Sequence, residues 1–293
     1  MSAQAPPELS KEHRRELARA YKLLERDSLA TKLAEWAGKP LENVLSHIPG
    51  PLRARAERAI EKAILECLKI AVNSFKDAPQ RRPRTGFAAL TAGLAGGVGG
   101  LLGAAALPLE LPVTTILMLR AIADIARHYG EDLSRLEARL ACVEVFARGA
   151  DKREDMGYYA SRALLGRLSA DLSALLLQKG AAGAAAPATA ALTGEVATRF
   201  GVVVWERAAA SALPLVGAAG AAAINVSFMN HFQRVAHGHF MVRRLERIYG
   251  VEAVQARYEA LVEAGREREE TAQLRGREDR KRTGSRNGSR ATA

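Results

Sequence analysis

The chain has 293 residues, is 48% hydrophobic and carries a formal net charge of +11. This apolar content is high enough for a folded core and excludes a chain that is disordered throughout. Aromatic residues make up only 5%, and the many Ala and Gly residues favour close helix packing over a β-sandwich. Two distant cysteines, Cys67 and Cys142, exclude a disulfide framework and fit a reducing compartment. Because charged residues begin at Glu8 and continue, we expect no secretion signal.

A helix is the first predicted element, and it begins near Lys11 after the capping residue Ser10. Residues 1–10 are expected to form a flexible N-terminus. A second helix is predicted over residues 52–75, where apolar residues recur on one helical stripe and charged residues lie mostly off it. Cys67 falls on this stripe, so we expect a buried thiol rather than a reactive one.

A run of 25 uncharged residues follows over 85–109. Its glycines recur at four-residue steps, a spacing that lets two helix backbones approach closely and is typical of packing in membranes. These helix-packing glycines are Gly93, Gly96, Gly97, Gly99, Gly100 and Gly103. The run exceeds the roughly 20 residues that a bilayer requires, but Gly and Ala partition only weakly into lipid. Membrane insertion and a tightly packed core therefore both stay open.

The next predicted helix has Pro112 in its first turn, after a break in the chain, and ends at Gly130. Arg120 and Asp124 lie four residues apart on this otherwise apolar helix. They could form a buried ion pair, a functional polar site or one exposed edge of the helix.

An amphipathic helix is predicted over residues 132–149 and a further helix over residues 155–177. A second uncharged run spans residues 208–233. Asn225 and His239 lie on an apolar stripe, where buried, hydrogen-bonded polar groups are expected. No segment alternates polar and apolar residues over the length of a strand. The sequence therefore predicts an all-α helical bundle with two Gly/Ala-rich apolar segments, which could insert into a membrane as hairpins.

A last helix is predicted over residues 251–262, so that residues 11–262 would form a single helical domain. Residues 263–293 lack apolar periodicity and are expected to form a disordered basic tail. Within it, residues 275–293 hold seven Lys or Arg against two acidic residues, a net charge of +5. Such a tail can attach to anionic lipid or nucleic acid, or it can be a solvated segment that only aids solubility. No aromatic residues alternate with the cations, so we expect no nucleic-acid partner.

Four stretches of the chain occur in a specific order, at residues 111–149, 157–166, 199–232 and 237–250. Together they resemble the bacterial EcsC family, and the likeness runs from about Leu29 to Leu261. The family takes its name from a gene that neighbours a membrane ABC transporter, and its biochemical role is unassigned. The resemblance therefore implies no catalytic residues. Polar positions that look like the family's own motifs are Arg120, Asp124, Asn225, His239 and Arg243.

The resemblance and the uncharged runs lead us to expect a membrane-associated accessory protein on the inner, cytoplasmic face of the cell membrane. Its expected partners are membrane lipid and a membrane transporter. We expect no cofactor and no enzymatic activity. A soluble helical binding protein, in which the Gly/Ala runs are only a packed core, is an alternative.

A zinc peptidase is the alternative from a different class. His128 and Asp132 form an H-x-G-x-D motif, and His237 and His239 form an H-x-H motif. Together these resemble the site of lysostaphin-like peptidases, which implies His128, Asp132 and His239 as zinc ligands and His237 as the catalytic histidine. Residues two apart on a helix, however, point about 200° away from each other, so the H-x-H pair requires a strand or a helix break.

Overall fold

The computed structural model describes residues 8–25, 50–73, 107–148, 157–178, 185–211 and 217–288. Over these residues the chain forms eight α-helices and no strand, which confirms the all-α prediction. The helices are α1 (Lys11–Leu24), α2 (Gly50–Asn73), α3 (Leu107–His128), α4 (Leu136–Arg148), α5 (Tyr158–Leu177), α6 (Ala185–Ser211), α7 (Gly217–Tyr249) and α8 (Val251–Gly288).

The larger of two hydrophobic cores lies among α2 to α7. Helix α2 packs along α3 and α6, and α4 packs against α2, α5 and α6. Four phenylalanine rings meet inside this core with centroids 5.1 to 6.1 Å apart, from Phe146, Phe200, Phe228 and Phe232. Such tilted and edge-on pairs stabilise a core beyond the area that they bury. Cys67 and Cys142 are both buried among these helices, as predicted for Cys67.

The smaller core lies where α1 crosses α7 and touches α8. Helix α1 begins at Lys11 because the hydroxyl of Ser10 accepts a hydrogen bond from the N–H of His13 at 3.2 Å. Its Leu17 is completely buried against residues of the other two helices, among them Leu245. This packing fixes α1 on the surface of α7.

The predicted break around Pro112 is wrong. Helix α3 begins at Leu107 and includes Pro112 as its sixth residue. A proline so close to the helix start forfeits a single backbone hydrogen bond, which the rest of α3 outweighs. The following helix, α4, begins at Leu136 rather than at 132, because Asp132 accepts two hydrogen bonds from Ser134 in a turn before the helix.

The last helix, α8, continues to Gly288, well past its predicted end at 262. The structure thus gives helix to most of the residues expected to form the disordered tail. These residues are rich in Glu and Arg, which are strong helix formers. The proposed division into one helical domain with terminal segments stays a prediction.

The two uncharged runs are only partly within the described residues. Residues 85–106 lie outside them, together with all six of the predicted helix-packing glycines, so that packing role stays a prediction. The second run divides between the end of α6 and the start of α7, and residues 212–216 are outside the described part. None of the described helices combines the length and the apolar character needed to cross a membrane.

Candidate functional site along helix α7

Helix α7 carries three of the polar motif residues predicted from the sequence, Asn225, His239 and Arg243. It has 33 residues and contacts α1, α3, α4, α6 and α8. The fourteen positions from Asn225 to His239 correspond to about 21 Å along the helix axis. Asn225 therefore lies apart from His239 and Arg243, which are one turn from each other.

Asn225 ties α7 to α6. Its Oδ1 accepts a hydrogen bond from Nε of Arg207 at 2.7 Å, and both side chains are buried. The guanidinium carbon of Arg207 lies 5.3 Å from the ring centroid of Phe228, a cation–π contact. The amide thus helps to stabilise a charge within the bundle, where an unsolvated guanidinium would otherwise be costly.

His239 lies fully buried near the start of α5. Its Nδ1 is 3.0 Å from the hydroxyl of Tyr158. The pKa of His239 is well below its ordinary value, first because burial penalises the charged ring, and then because Arg148, Arg243 and Arg162 repel another positive charge. His239 is therefore neutral, and it acts as a hydrogen-bonding group within the core.

Glu144 and Arg148 form a buried ion pair on α4, next to His239. Arg148 donates from Nη2 to Glu144 at 3.2 Å, and the hydroxyl of Ser169 on α5 donates to the same carboxylate at 2.6 Å. The Arg148 guanidinium also lies 5.2 Å from the ring centroid of Tyr158. Its Nε and Nη1 have no hydrogen-bond partner among the described residues. Sequence reasoning missed this pair, although two opposite charges four residues apart on an apolar helix are a usable signal.

Glu246 links α7 to α5. It accepts a hydrogen bond from the hydroxyl of Tyr159 at 2.9 Å and pairs with Arg162. Burial, and then the carboxylate of Glu246, raise the pKa of Tyr159. The phenol is therefore a hydrogen-bond donor and not a base.

The end of α3 positions the third buried carboxylate, Glu131. Gly130 adopts a φ of +78°, which favours glycine, and closes the helix. The N–H of Gly130 donates to the carbonyl of Arg127 at 2.9 Å, and the N–H of Glu131 donates to that of Ala126 at 3.0 Å. This pair of bonds is a Schellman end, and it turns Glu131 toward α7.

Arg243 holds Glu131 with two hydrogen bonds, from Nε at 2.8 Å and from Nη2 at 3.1 Å. Arg247, one turn further along α7, donates to the same carboxylate and to the carbonyl oxygen of Tyr129. Burial alone would raise the pKa of Glu131. The hydrogen bonds and positive charges of the two arginines outweigh burial and hold this pKa below its ordinary value.

The family comparison bears directly on these helices. The model of a family described as "EcsC protein family" matches residues 11–245. The match covers most of the chain and nearly all of α1 to α7. The chain belongs to the EcsC protein family. Comparison with curated proteins and with solved structures gives no match.

The match confirms the resemblance drawn from the sequence and differs in its bounds. In this EcsC protein the match includes α1, which lies before the expected start near Leu29. It ends at Leu245, so α8 lies beyond it.

The remaining motif pair of the EcsC protein, Arg120 and Asp124, lies at the edge of α3. Arg120 is exposed, and Asp124 accepts a hydrogen bond from Nη1 of Arg127 at 2.9 Å. Asp124 thus pairs with Arg127, three residues later, and not with Arg120, four residues earlier. Of the open interpretations, the exposed helix edge fits this arrangement best.

The four residues of the zinc-peptidase alternative differ in burial in this EcsC protein, from exposed to fully buried. His128 and Asp132 are exposed, and Asp132 is engaged with Ser134. His237 is half-buried with Nδ1 3.2 Å from the Tyr129 hydroxyl, whereas His239 is inside the core. Over the residues that the structure describes, no three His, Cys, Asp or Glu side chains are grouped so as to hold a metal ion.

The clusters of the EcsC protein have one chemical consequence in common. Each of the three buried carboxylates, Glu131, Glu144 and Glu246, accepts hydrogen bonds from an arginine. Glu131 joins the end of α3 to α7, Glu246 joins α7 to α5, and Glu144 joins α4 to α5. The arrangement fixes the register of the helices, and a partnered carboxylate of this kind is poorly placed to abstract a proton from a substrate.

A surface groove of about 460 Å³ lies apart from these clusters, between α2 and α6. Its walls include Glu57, Ile60, Gly201, Val202 and Trp205. A Cβ atom at Gly201 would lie 3.7 Å from Cδ1 of Ile60, an ordinary van der Waals contact. The groove is shallow and mostly apolar, and it has no contact with the polar motif residues.

Proposed function

We propose that this EcsC protein attaches to the cytoplasmic face of the cell membrane and acts there as a non-enzymatic accessory protein of a membrane system. A transporter is the candidate partner. The observation that carries the proposal is the surplus of positive charge, +11 over the chain and +5 within residues 275–293. Anionic lipid attracts such segments by about 1 kcal/mol for each Lys or Arg near the membrane surface.

The buried ion pairs support this distribution of charge. Within the described bundle, Glu144 pairs with Arg148 and Glu246 pairs with Arg162, so these interior charges cancel. Glu131 is shared by two arginines, one of which is half exposed. The described cations outside these pairs include exposed ones that lipid headgroups can reach, such as Arg15 and Arg55.

The non-enzymatic part of the proposal draws support from the chemistry of the core. The motif residues Asn225, His239 and Arg243 are engaged with neighbouring helices. Burial raises the pKa of the Cys67 thiol to about 12 and also raises that of Cys142, so neither is a ready nucleophile.

Fractionation of cells tests the proposal. We would express the full chain with a tag and wash the membranes at low salt, at high salt and with alkaline carbonate. Because the proposed attachment is electrostatic, we expect the protein in the membrane pellet at low salt and its release by the other two washes. A protein that is in the supernatant at low salt, or that stays in the pellet after carbonate, would contradict surface attachment.

A pair of triple variants adds a matched control. Arg280→Gln, Lys281→Gln and Arg282→Gln together remove three charges from the C-terminal part of the chain. Arg55→Gln, Arg58→Gln and Lys62→Gln remove three exposed charges from α2. We expect the first set to lower the membrane-bound fraction more than the second, and equal losses would count against a role for the C-terminal charges.

A further inference from the structure

We infer that the exposed face of α1 is the surface by which this protein lies on an anionic membrane, an inference that rests on the proposed function. Four cations form this face, which we call the basic stripe, and all are exposed: Lys11, Arg15, Arg19 and Lys22. Among the described residues, no acidic side chain lies within ion-pair distance of any of the four.

The spacing of the basic stripe places its members on one side of α1. Steps of four, four and three residues correspond to an arc of about 80° around the helix. The stripe extends for about 16 Å along the axis. A row of cations on one side of a straight helix can contact a flat layer of phosphates simultaneously.

One of the two acidic residues of α1 is turned away from this stripe. Glu16 turns inward and pairs with Arg244 of α7, and its side chain is only 17% exposed. Arg14 donates to the carbonyl oxygen of Leu9 at 2.8 Å and pairs with the exposed Glu8. The only acidic residue of α1 that is exposed is Glu12, at the first turn.

Helix α2 shows that this sorting is not general. It exposes both signs of charge: Arg58 and Lys62 lie one turn apart, and Glu57 and Glu61 lie on the adjacent face of the same helix. Cations next to carboxylates are partly neutralised and attract a membrane less. On α1, by contrast, Glu12 is the one exposed carboxylate beside four exposed cations.

Helix α1 presents the stripe in a fixed geometry. Leu17 and Ala20 are completely buried on its opposite side, and Nδ1 of His13 lies 2.8 Å from the hydroxyl of Tyr249. Binding therefore does not require ordering of the helix, which saves an entropic cost. Because the apolar face of α1 already packs in the smaller core, attachment depends on headgroup charge and not on insertion of apolar side chains.

Lipid is a better partner for this surface than nucleic acid. The exposed positions of α1 include no aromatic side chain, and Tyr21 is turned toward Tyr258, with ring centroids 5.7 Å apart. A surface that binds single strands presents aromatic rings on which bases stack. The basic stripe offers only cations, which suits a layer of phosphate headgroups.

Vesicle flotation tests the inference with the full chain. The vesicles contain either equal parts of phosphatidylcholine and phosphatidylglycerol or phosphatidylcholine alone. The stripe variant is Arg15→Gln with Arg19→Gln, and the control is Arg55→Gln with Arg58→Gln, which removes the same charge from exposed positions of α2. Circular dichroism establishes that each variant is folded, and Lys11→Gln with Lys22→Gln is a second stripe variant.

We expect the stripe variant to bind the anionic vesicles about 25-fold more weakly than the wild type, from about fivefold for each lost cation. The α2 control should stay within about twofold, because charges far from the surface are screened. Failure of the wild type to bind anionic vesicles would contradict the proposed function itself. Wild-type binding with equal affinities for the stripe variants and the control would overturn only the inference about α1. Binding to duplex DNA in place of vesicles, weakened in the stripe variants, would overturn both.

Discussion

Gly238 sets how closely α1 approaches α7. A Cβ atom at this position would lie 2.7 Å from Cγ of Leu24 and 3.2 Å from the carbonyl oxygen of Ala20. The second contact is with backbone, which cannot rotate away as a side chain can. A side chain at position 238 would therefore push α1 outward.

We expect Gly238→Ala to lower the free energy of unfolding by about 1 to 2 kcal/mol, because overpacking outweighs the higher helix propensity of alanine. Denaturant unfolding followed by circular dichroism measures this change. Gly166→Ala on α5 is the matched control, since a Cβ there meets no atom within 4 Å. It should be neutral or stabilise by up to about 1 kcal/mol. Equal stability of the two variants would contradict the close approach of α1.

Glu131 should make stability depend on acid. Its pKa in the folded protein is below the ordinary value of 4.5, so its ion pairs stabilise the fold fully above that value. This contribution is lost as the pH falls from 4.5 toward the lowered folded pKa. We expect Glu131→Gln to cost about 2 to 3 kcal/mol near neutral pH, at the low end for a buried pair because Arg247 is partly exposed.

Unfolding free energies measured over a series of pH values test this expectation. The Glu131→Gln variant should lose less stability than the wild type on acidification below pH 4.5. Glu66→Gln is the control, because Glu66 pairs with Lys69 on the exposed side of α2 and should change stability by about 0.5 kcal/mol or less. Parallel pH profiles for the wild type and Glu131→Gln would disprove the role of this carboxylate.

The sequence predicts the burial of residues better than it predicts their partners. The positions of Asn225 and His239 on an apolar stripe already indicate that both are buried. Their partners, Arg207 and Tyr158, lie on other helices. Helical periodicity predicts which face of a helix is buried, but it does not predict which helix packs against that face. Glu131 could not be predicted either, because its contact with Arg243 spans 112 positions and depends on how α3 ends.

At the scale of elements, helices with a cap or an apolar stripe were the predictable ones. Helix α1 starts at the expected Lys11, and α2 lies within two residues of its predicted bounds. The break at Pro112 was misplaced because proline is tolerated near a helix start. Helix α8 was predicted too short, because its later residues favour helix by propensity and have no apolar stripe to reveal it.

Amide hydrogen exchange should divide α8 into two parts. Val254 and Tyr258 are buried in the smaller core, whereas the described side chains from 266 onward are exposed. A helix without tertiary packing is marginal in water, so amides of residues 266–288 should exchange far faster than those of residues 251–262. Uniform protection through to residue 288 would contradict this division and would indicate that the whole helix packs against a partner.

At the scale of the whole molecule, charge separates the inside from the outside. Among the described residues, each of the three buried carboxylates pairs with an arginine, and the full chain has a surplus of +11. The sequence predicts the size of this surplus and its C-terminal concentration. The basic stripe of α1 could not be predicted from composition. It requires the carboxylate of Glu16 to turn away from the stripe toward Arg244, a residue 228 positions later in the chain.

The salt dependence of vesicle binding tests the central claim most directly. We would measure the affinity of the full chain for phosphatidylglycerol-containing vesicles over a range of salt concentrations. Electrostatic attachment predicts an affinity that falls steeply as salt shortens the Debye length from about 30 Å at 0.01 M to about 8 Å at 0.15 M, with no binding to neutral vesicles. Binding that is unchanged by salt, or equal on neutral and anionic vesicles, would contradict attachment by surface charge.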